Sequence, residues 1–385
     1  MKTVVACTSL DEPTAAGHDL AAQIRSSLGD ADAIIVFASP RYDHSLLLAA
    51  LRNRCGRGVI VGASSAGEFT SDHRGEGLAC VMAIRAPEMQ FTVSAATGLS
   101  KAPAAVAQKI AAGFRGVSDG AFPHRTALVL FDALAGHGDV LIEKLTLATS
   151  GQYQFFGGGA GDNAQFQRTA VFAGTDVVVD GVVSLEILSV KPIGVGVGHG
   201  WEPASEGFRV TETDGMRILS LNGMPAFEAF KEHADRTKQK LDLAAPLPFF
   251  LHNVLGISTS SGHRIRVPLS VGLDDSILCA AEVPMGAVVQ IMRTSEKSAL
   301  DAAARATDSA LLALGEHRPK AALFFDCVAT RLRLGEKFDA ELEIVKDRLG
   351  GVAMTGCNTH GQLARAEGQF QGFHNCTAIV CVFPE

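Results

Sequence analysis

Short apolar runs alternate along the chain with longer stretches in which apolar residues recur every three or four positions. The runs Ala33–Ala38 (AIIVFA), Thr126–Asp132 (TALVLFD) and Ala321–Asp326 (AALFFD) are continuous and apolar. Such runs are typical of strands buried on both faces. Helical periodicity flanks each run, over residues 15–27, 44–54, 102–114, 139–149, 296–314 and 339–349. The pattern therefore predicts an α/β fold.

The order β-α-β-α-β-β occurs three times. Residues 1–87 contain it first, residues 88–190 contain it again, and residues 286–385 contain it a third time, with a first strand predicted over Ala287–Met292. Residues 191–285 form a strand-rich connecting region between the second and third copies. Because one unit of this size cannot bury its apolar faces alone, the repetition predicts layered sheets with helices on the outer faces.

Each repeat ends a strand in a glycine-rich loop that carries polar side chains. Aligning the repeats places Gly67, Gly161 and Gly361 at equivalent positions. Ligands of open α/β sheets bind at strand ends, and backbone amides exposed by glycine hold carboxylates. We therefore predict a site for a small zwitterion. Its candidate residues are Ser64, Ser65, Glu68, Asp162, Asn163, Cys357, Asn358, Thr359, His360 and Gln362.

Other interpretations of these loops stay open. Tight turns alone would also require glycines. A hydrolase elbow needs Gly-x-Ser-x-Gly, whereas Ser64 is followed by Ser65 and Ala66, so the second glycine is out of place. Ser65, or Cys357 paired with a distant histidine, is the hydrolase alternative. Phosphate cradles are disfavoured because GGGAGD and GVGVGHG lack the last glycine of the fingerprint.

Composition narrows the class of protein. The 385 residues carry a net charge of −7 without a block of basic residues, which disfavours nucleic-acid binding. No apolar stretch is long enough to insert into a membrane. Eight scattered cysteines lack a Cys-x-x-Cys pair, so we expect small core residues in a reducing compartment and no zinc site. These features predict a cytoplasmic protein.

Histidines and one arginine complete the candidates. Haem would need an axial histidine in an apolar pocket. The candidates are His199, His252, His360 and His374, and His252 has the most apolar neighbours, although a core histidine would have them too. His44 lies among polar residues and is expected in solvent. Arg331, near Asp326, is predicted either to bind a ligand carboxylate or to form a surface ion pair.

The ordered set of motifs resembles the FIST family, whose name abbreviates F-box and intracellular signal transduction. The N-terminal motifs are VGASSAGEF, FGGGAGD, VGVGHGWEP and LNGMPAFEAF. The C-terminal motifs are VPMGAVVQIM, FFDCVATRLRLG, MTGCNTHGQL and FHNCTAIVCVF. The resemblance implies an N-terminal domain over residues 1–190 and a C-terminal domain over roughly residues 220–385.

The resemblance also implies a function. It indicates a non-enzymatic sensory protein that binds a small ligand, such as an amino acid or a related metabolite, and signals to a separate partner. Some members of similar architecture bind haem, sense nitric oxide and act on a histidine kinase, so that role is the alternative and the cofactor stays open. Gln362 departs from the family, which more often has a glutamate after the glycine, so amine recognition by the third loop is in doubt.

Overall fold

The computed structural model describes residues 1–118, 120–260, 262–366 and 371–385. It confirms the predicted α/β class, with mixed sheets layered between helices. Unit 1 contains β1 (Lys2–Thr8), α1 (Pro13–Ser27), β2 (Ala33–Ala38), α2 (His44–Arg54), β3 (Val59–Ser64), β4 (Glu68–Thr70), β5 (Arg74–Gly75) and β6 (Ala79–Arg85). Asp43 begins α2 by accepting the backbone N–H of Ser45 and Leu46.

Unit 2 repeats this order. It contains β7 (Met89–Thr97), α3 (Pro103–Ala112), β8 (His124–Phe131), α4 (Gly138–Ala148), β9 (Gln154–Gly159), β10 (Val171–Ala173), β11 (Asp176–Val178) and β12 (Gly181–Ser189). The sequence predicts a strand over residues 168–172, but in the structure β10 begins only at Val171. The reason is that residues 165–168 turn around the carboxylate of Asp162.

Unit 3 corrects one prediction. Its first strand is β13 (Gly194–Gly198), which pairs with the last strand of the unit, and not the predicted Ala287–Met292. The other elements of unit 3 come after residue 295. They are α7 (Glu296–Ala313), β23 (Pro319–Cys327), α8 (Val328–Leu334), α9 (Phe338–Leu349), β24 (Ala353–Thr359), β25 (Gln362–Arg365), β26 (Gly372–His374) and β27 (Ala378–Pro384).

The segment between β13 and α7 is an insertion within unit 3. It contains β14 (Glu202–Pro203), β15 (Phe208–Asp214), β16 (Arg217–Leu221), β17 (Met224–Pro225), α5 (Glu228–Thr237), α6 (Leu247–Phe250), β18 (Val254–Thr259), β19 (Gly262–Arg266), β20 (Pro268–Val271), β21 (Ile277–Cys279) and β22 (Val288–Arg293). These strands form a sheet of their own. The apolar run that resembled the first strand of unit 3 is β22, which lies in that sheet because its edges pair with β18 and β15.

The three units exchange strand pairs in a cycle. The sheet of unit 1 runs β1-β6-β2-β3 and is completed by β10-β11 of unit 2. The sheet of unit 2 runs β7-β12-β8-β9 and is completed by β25-β26 of unit 3. The sheet of unit 3 runs β13-β27-β23-β24 and is completed by β4-β5 of unit 1. Each unit therefore depends on another unit for the edge of its sheet.

The main core lies where the inner faces of these three sheets meet. Phe37, Phe156 and Phe325 come from three different units, and the ring centroid of Phe325 lies 5.4 Å from that of Phe37 and 6.2 Å from that of Phe156. All three side chains are fully buried. Aromatic contacts at these distances add to the free energy gained from burial itself. The outer faces carry the helices, each with its own apolar cluster.

The motif GVGVGHG is explained by helix packing. A Cβ atom at Gly194 would lie 1.9 Å from the carbonyl oxygen of Ala310 in α7. A Cβ atom at Gly196 would lie 1.8 Å from the carbonyl oxygen of Ala306 in the same helix. Alternate residues of β13 face α7, so the glycines allow the helix backbone to approach the strand directly. These glycines therefore serve packing rather than phosphate binding.

We expect Gly196→Ala to destabilise the protein, because the new methyl group would clash with the backbone carbonyl oxygen of Ala306 in α7. The free energy of unfolding from urea titration should fall by about 2 kcal/mol or more. Gly120→Ala is the matched control, since nothing lies within 4 Å of its Cβ position. Equal stability of the two variants would contradict this account of the motif.

Candidate functional site

The three glycine-rich loops meet in the structure. We define loop 1 as residues 62–68, loop 2 as residues 157–163 and loop 3 as residues 356–362. Loop 2 joins loop 1 through the N–H of Gly161, which donates to the carbonyl of Ser64 at 2.8 Å. Loop 3 joins loop 1 through two bonds, Ala66 N–H to Asn358 O at 2.9 Å and Asn358 N–H to Gly67 O at 2.8 Å.

Loop 3 also joins loop 2. The N–H of His360 donates to the carbonyl of Gly159 at 3.1 Å. The N–H of Gly159 donates in turn to the carbonyl of Gly361 at 2.9 Å. Each loop thus bonds to both of the others through its backbone. The polar residues that the sequence places in separate repeats therefore lie together in space.

Loop 1 is held by a buried carboxyl group. The hydroxyl of Ser65 donates to Glu68 Oε1 at 2.5 Å, and the N–H of Leu78 donates to Oε2 at 2.9 Å. Burial raises the pKa of Glu68 to about 7, opposed by these hydrogen bonds and by the charge of Arg331. Both carboxyl oxygens of Glu68 have protein partners, so this side chain fixes the shape of loop 1. Ser64 instead accepts the N–H of Ala170 at 3.0 Å.

Gln362 and Cys357 of loop 3 are both buried. Gln362 donates from Nε2 to Thr359 Oγ1 at 2.7 Å and accepts the N–H of Thr377 at 3.2 Å. Cys357 is buried in β24 opposite Glu68. Burial raises the pKa of the Cys357 thiol well above its usual value. The amide of Gln362 thus closes loop 3.

The carboxylate of Asp162 organises the segment after loop 2. It accepts the N–H groups of Gln165, Phe166, Gln167 and Arg168 at distances of 2.6–3.1 Å. We call residues 163–169 the lid loop. Both carboxylate oxygens of Asp162 accept backbone N–H groups of this loop, so the first role of Asp162 is to anchor the loop.

The lid loop is strained. Asn163, Ala164 and Phe166 have φ angles of 56°, 59° and 52°, in the left-handed region that residues other than glycine rarely adopt. Three such residues within four positions carry a cost of order 1–3 kcal/mol each, which the bonds to Asp162 offset. Strain of this kind clusters at ligand clamps and switch regions.

Buried polar atoms without a partner lie under the lid loop. His360 is buried, and neither of its ring nitrogens has a hydrogen bond, although Nε2 lies 3.4 Å from Asp162 Oδ1. Burial lowers the pKa of His360 to about 4, against the charge of Asp162, so the ring is neutral at pH 7. Its ring stacks on that of Phe166 at 4.7 Å. Asn163 Oδ1, in the lid loop itself, also lacks a partner, as does Asn358 Nδ2, whose side chain lies against Gly67 at the seam of units 1 and 3. A buried polar group without a hydrogen bond indicates a missing partner.

A cavity of about 520 Å³ opens at the seam of units 1 and 2, with Asp162 on its wall. A volume of this size suits a small-molecule ligand. The polar residues that line it are Tyr42, Asp43, His44, Ser45, Ser64, Asp162, Gln165, Gln167 and Arg168. Ser64 and Asp162 are the two residues predicted from the sequence that reach this cavity.

Seven of the nine polar residues that line the cavity were not among the candidates from the sequence. His44 was expected in solvent but is half-buried, with its ring 4.8 Å from that of Phe172 and its Nε2 3.0 Å from Ser39 O. Burial lowers the pKa of His44. Gln167 and Arg168 lie in a segment predicted as loop and strand. The one feature of the sequence that indicated the lid loop is Asn163, because asparagine favours the left-handed conformation with which this loop begins.

Arg331 lies in α8 and takes part in an ion pair. Its Nη2 lies 2.7 Å from Oε1 of Glu76, which joins unit 3 to unit 1. The guanidinium also packs against Gly67, where a Cβ atom would lie 3.4 Å from Nη1. Arg331 thus forms an ion pair, one of its two predicted roles, and binding of a ligand carboxylate by Arg331 stays a prediction.

The four histidines proposed as haem ligands do not fit that role. His252 is exposed, in contrast to its apolar neighbours in sequence. His199 bonds through Nε2 to His263 O at 3.0 Å and lines a cavity of only about 10 Å³. His360 is covered by Phe166, and His374 is fully enclosed by protein. None of these positions offers an apolar pocket for a porphyrin.

The hydrolase arrangement is not present at Ser65 or Cys357. Ser65 is buried and donates to Glu68 rather than to an imidazole. The thiol of Cys357 is buried, and its raised pKa opposes formation of a thiolate. Within the described ranges, no group of three or more His, Cys, Asp or Glu side chains is placed to hold a metal ion.

Most of the chain matches the models of one known family. The model of the FIST N domain matches residues 32–224, and that of the FIST C domain matches residues 226–365. For the residues with described structure, no helix combines the length and apolar character needed to cross a bilayer.

Individual relatives are distant. An uncharacterized protein of Mycobacterium tuberculosis is 25% identical over 273 residues, which cover 68% of each chain. An uncharacterized protein of Methanocaldococcus jannaschii is 26% identical over 183 residues, which cover 44% of this chain and 35% of that protein. The solved structure of a cyanuric acid hydrolase from A. caulinodans aligns over 100% of this chain and 99% of that chain, with 8% identity and a TM-score of 0.38. Similarity at this level carries no functional argument.

Glu68 should make stability depend on pH. Its pKa of about 7 in the folded protein is above the usual value of about 4.3 in an unfolded chain. Its contribution to the free energy of unfolding is therefore complete below the unfolded pKa and is lost as the pH rises through 7. In Glu68→Gln, we expect the change in free energy of unfolding between pH 5 and pH 8 to differ from wild type by about 3 kcal/mol.

Urea titrations at several pH values measure this difference. Glu316→Gln, at an exposed position, is the control and should follow wild type. If Glu68→Gln kept the wild-type pH dependence, Glu68 would not be the buried titrating group.

Asp162→Asn should open the lid loop. The amide replaces one acceptor oxygen with an N–H donor that faces backbone N–H groups, which should destabilise the loop locally by about 1–3 kcal/mol. Trypsin should then cleave after Arg168 about ten times faster or more, while the global unfolding midpoint changes less. Asp176→Asn, on the neighbouring strand β11, is the control. Equal cleavage rates in both variants would contradict the anchoring role of Asp162.

Proposed function

Because this chain belongs to the FIST family, whose domains are generally sensory domains that bind ligands and signal, we propose that it is a ligand-binding sensor whose site lies under the lid loop. The observation that carries the proposal is the cavity of about 520 Å³ lined by Ser64 and Asp162. The lid loop forms part of its wall. Asp162, on the cavity wall, lies 3.4 Å from Nε2 of His360, a buried ring without a hydrogen bond.

The charges of the cavity favour a small polar ligand with a carboxylate, such as an amino acid or a related metabolite. Arg168 is exposed to the cavity, and its guanidinium has no ion-pair or hydrogen-bond partner in the described part of the chain. A guanidinium binds a carboxylate through two parallel hydrogen bonds. The side-chain amides of Gln165 and Gln167 and the carboxylate of Asp43 offer acceptors for an ammonium group.

The lid loop gives binding a route to the rest of the molecule. The loop is connected to loop 1 because Ala170, the residue after it, donates its N–H to the hydroxyl of Ser64. It is connected to loop 3 because the ring of Phe166 stacks on that of His360. A ligand that contacts Arg168 would bind one conformation of this loop more tightly than another, which shifts the population of conformations. We propose that a separate signalling protein, such as a histidine kinase, reads the change at the surface of these loops.

The proposed location is inside the cell. All eight cysteines are free thiols. Proteins that keep so many thiols are typical of reducing compartments.

The experiment is a ligand screen followed by a matched pair of variants. The screen tests the twenty amino acids and simple dipeptides by thermal shift. At a hundred times its Kd, a ligand should stabilise the protein by about 2.7 kcal/mol. Loss of a charge-assisted bond in Arg168→Gln should weaken binding of that amino acid by about ten- to hundred-fold in calorimetry.

Arg57→Gln is the control, because Arg57 is also exposed but lies beyond the far end of α2. It should bind as wild type does. Absence of stabilisation by every compound would contradict the ligand class, and equal affinity of the two variants would contradict the position of the site.

A further inference from the structure

Two cysteines face each other across the first strand pair of unit 1. Cys7 in β1 and Cys80 in β6 are direct partners in the antiparallel register. The S–H of Cys80 donates to the sulfur of Cys7, with the two sulfur atoms 3.0 Å apart. Opposite residues of antiparallel strands have Cα atoms about 4.5–5.5 Å apart, which lies within the range that a disulfide spans. Closing the bond therefore requires side-chain movement and little change in the backbone.

The two thiols have different surroundings. Cys7 is half-buried, whereas Cys80 is fully buried. The hydrogen bond from Cys80 lowers the pKa of Cys7, opposed by burial and by the charges of Glu68 and Asp19. Burial raises the pKa of Cys80 well above its usual value. One thiol is thus accessible and inclined to ionise, and the other is sheltered behind it. This is the arrangement of an attacking cysteine with a resolving cysteine.

We propose that Cys7 and Cys80 form a redox-active pair that closes to a cross-strand disulfide next to loop 1. The oxidant is a low-molecular-weight disulfide, RSSR. The Cys7 thiolate attacks one sulfur of RSSR, forms a mixed disulfide and releases RS⁻. Cys80 then loses its proton to a thiolate, attacks the Cys7 sulfur and expels the second RS⁻. Two protein thiols are oxidised by two electrons, and RSSR is reduced to two molecules of RSH.

The position of the pair connects it to the loops. Leu78, two residues before Cys80, donates its N–H to Glu68 and accepts the N–H of Ser39 through its carbonyl. A disulfide would hold β1 and β6 together at the point where this segment supports loop 1. The pair is a distinct site from the ligand cavity, and its oxidation can be measured without any ligand.

The test exposes the purified full-length protein to mixtures of oxidised and reduced glutathione, followed by alkylation and peptide mass spectrometry. We expect a peptide that links Cys7 to Cys80, loss of two of the eight free thiols, and recovery of both with dithiothreitol. A link between the buried neighbours Cys327 and Cys376 in its place, or retention of all eight thiols in excess oxidised glutathione, would overturn the proposal.

Single variants test the order of attack. Cys80→Ala should stop at the mixed disulfide and accumulate one glutathione on Cys7. Cys7→Ala should leave Cys80 unmodified, because Cys80 is buried. Cys55→Ser is the control and should still form the link between Cys7 and Cys80. Glutathione on Cys80 in Cys7→Ala, or an unmodified Cys7 in Cys80→Ala, would contradict the assigned roles, and the wild-type experiment stands if either variant fails to fold.

Discussion

The cyclic exchange of strand pairs is the constraint on which the rest of the structure depends. Each sheet lacks an edge until a neighbouring unit supplies it, as β4 of unit 1 does for β24 of unit 3. The chain must pass from its own sheet to another sheet. It does so directly in loops 1 and 3, whereas in unit 2 the crossing runs through loop 2 and the lid loop before β10 begins at Val171. Those crossings occur at the end of the third strand of each unit, so the exchange itself brings the three loops together.

This constraint divides the polar residues into two groups. Ser65, Glu68 and Gln362 bond to protein partners and hold the crossings in shape. His360 and Asn358 are as deeply buried but have side-chain atoms without hydrogen bonds. The first group explains how the fold is maintained, because a buried polar group is costly unless it is paired. His360 lies under Phe166 of the lid loop, and other residues of that loop line the cavity, which is why we place ligand binding there.

Hydrophobic periodicity was sufficient to predict the repeated units, because buried central strands such as Ala33–Ala38 and the helices around them depend on local patterns. It was not sufficient to locate the first strand of unit 3. Gly194–Gly198 is short and consists largely of glycine, and a long insertion separates it from its helix. The strained conformation of Phe166 depends on hydrogen bonds to Asp162, and the burial of His44 depends on contact with Phe172 of another unit. Hydrophobic periodicity encodes neither. For that reason the loop residues were predictable, whereas most of the cavity wall was not.

Hydrogen–deuterium exchange tests the central claim most directly, with and without an amino acid or dipeptide that stabilises the protein in the screen. Binding under the lid loop predicts slower exchange in residues 163–169 and at the start of α2, with little change in the inserted sheet. Protection confined to the inserted sheet, with the lid loop unaffected, would contradict the claim that the seam of units 1 and 2 is the sensory site.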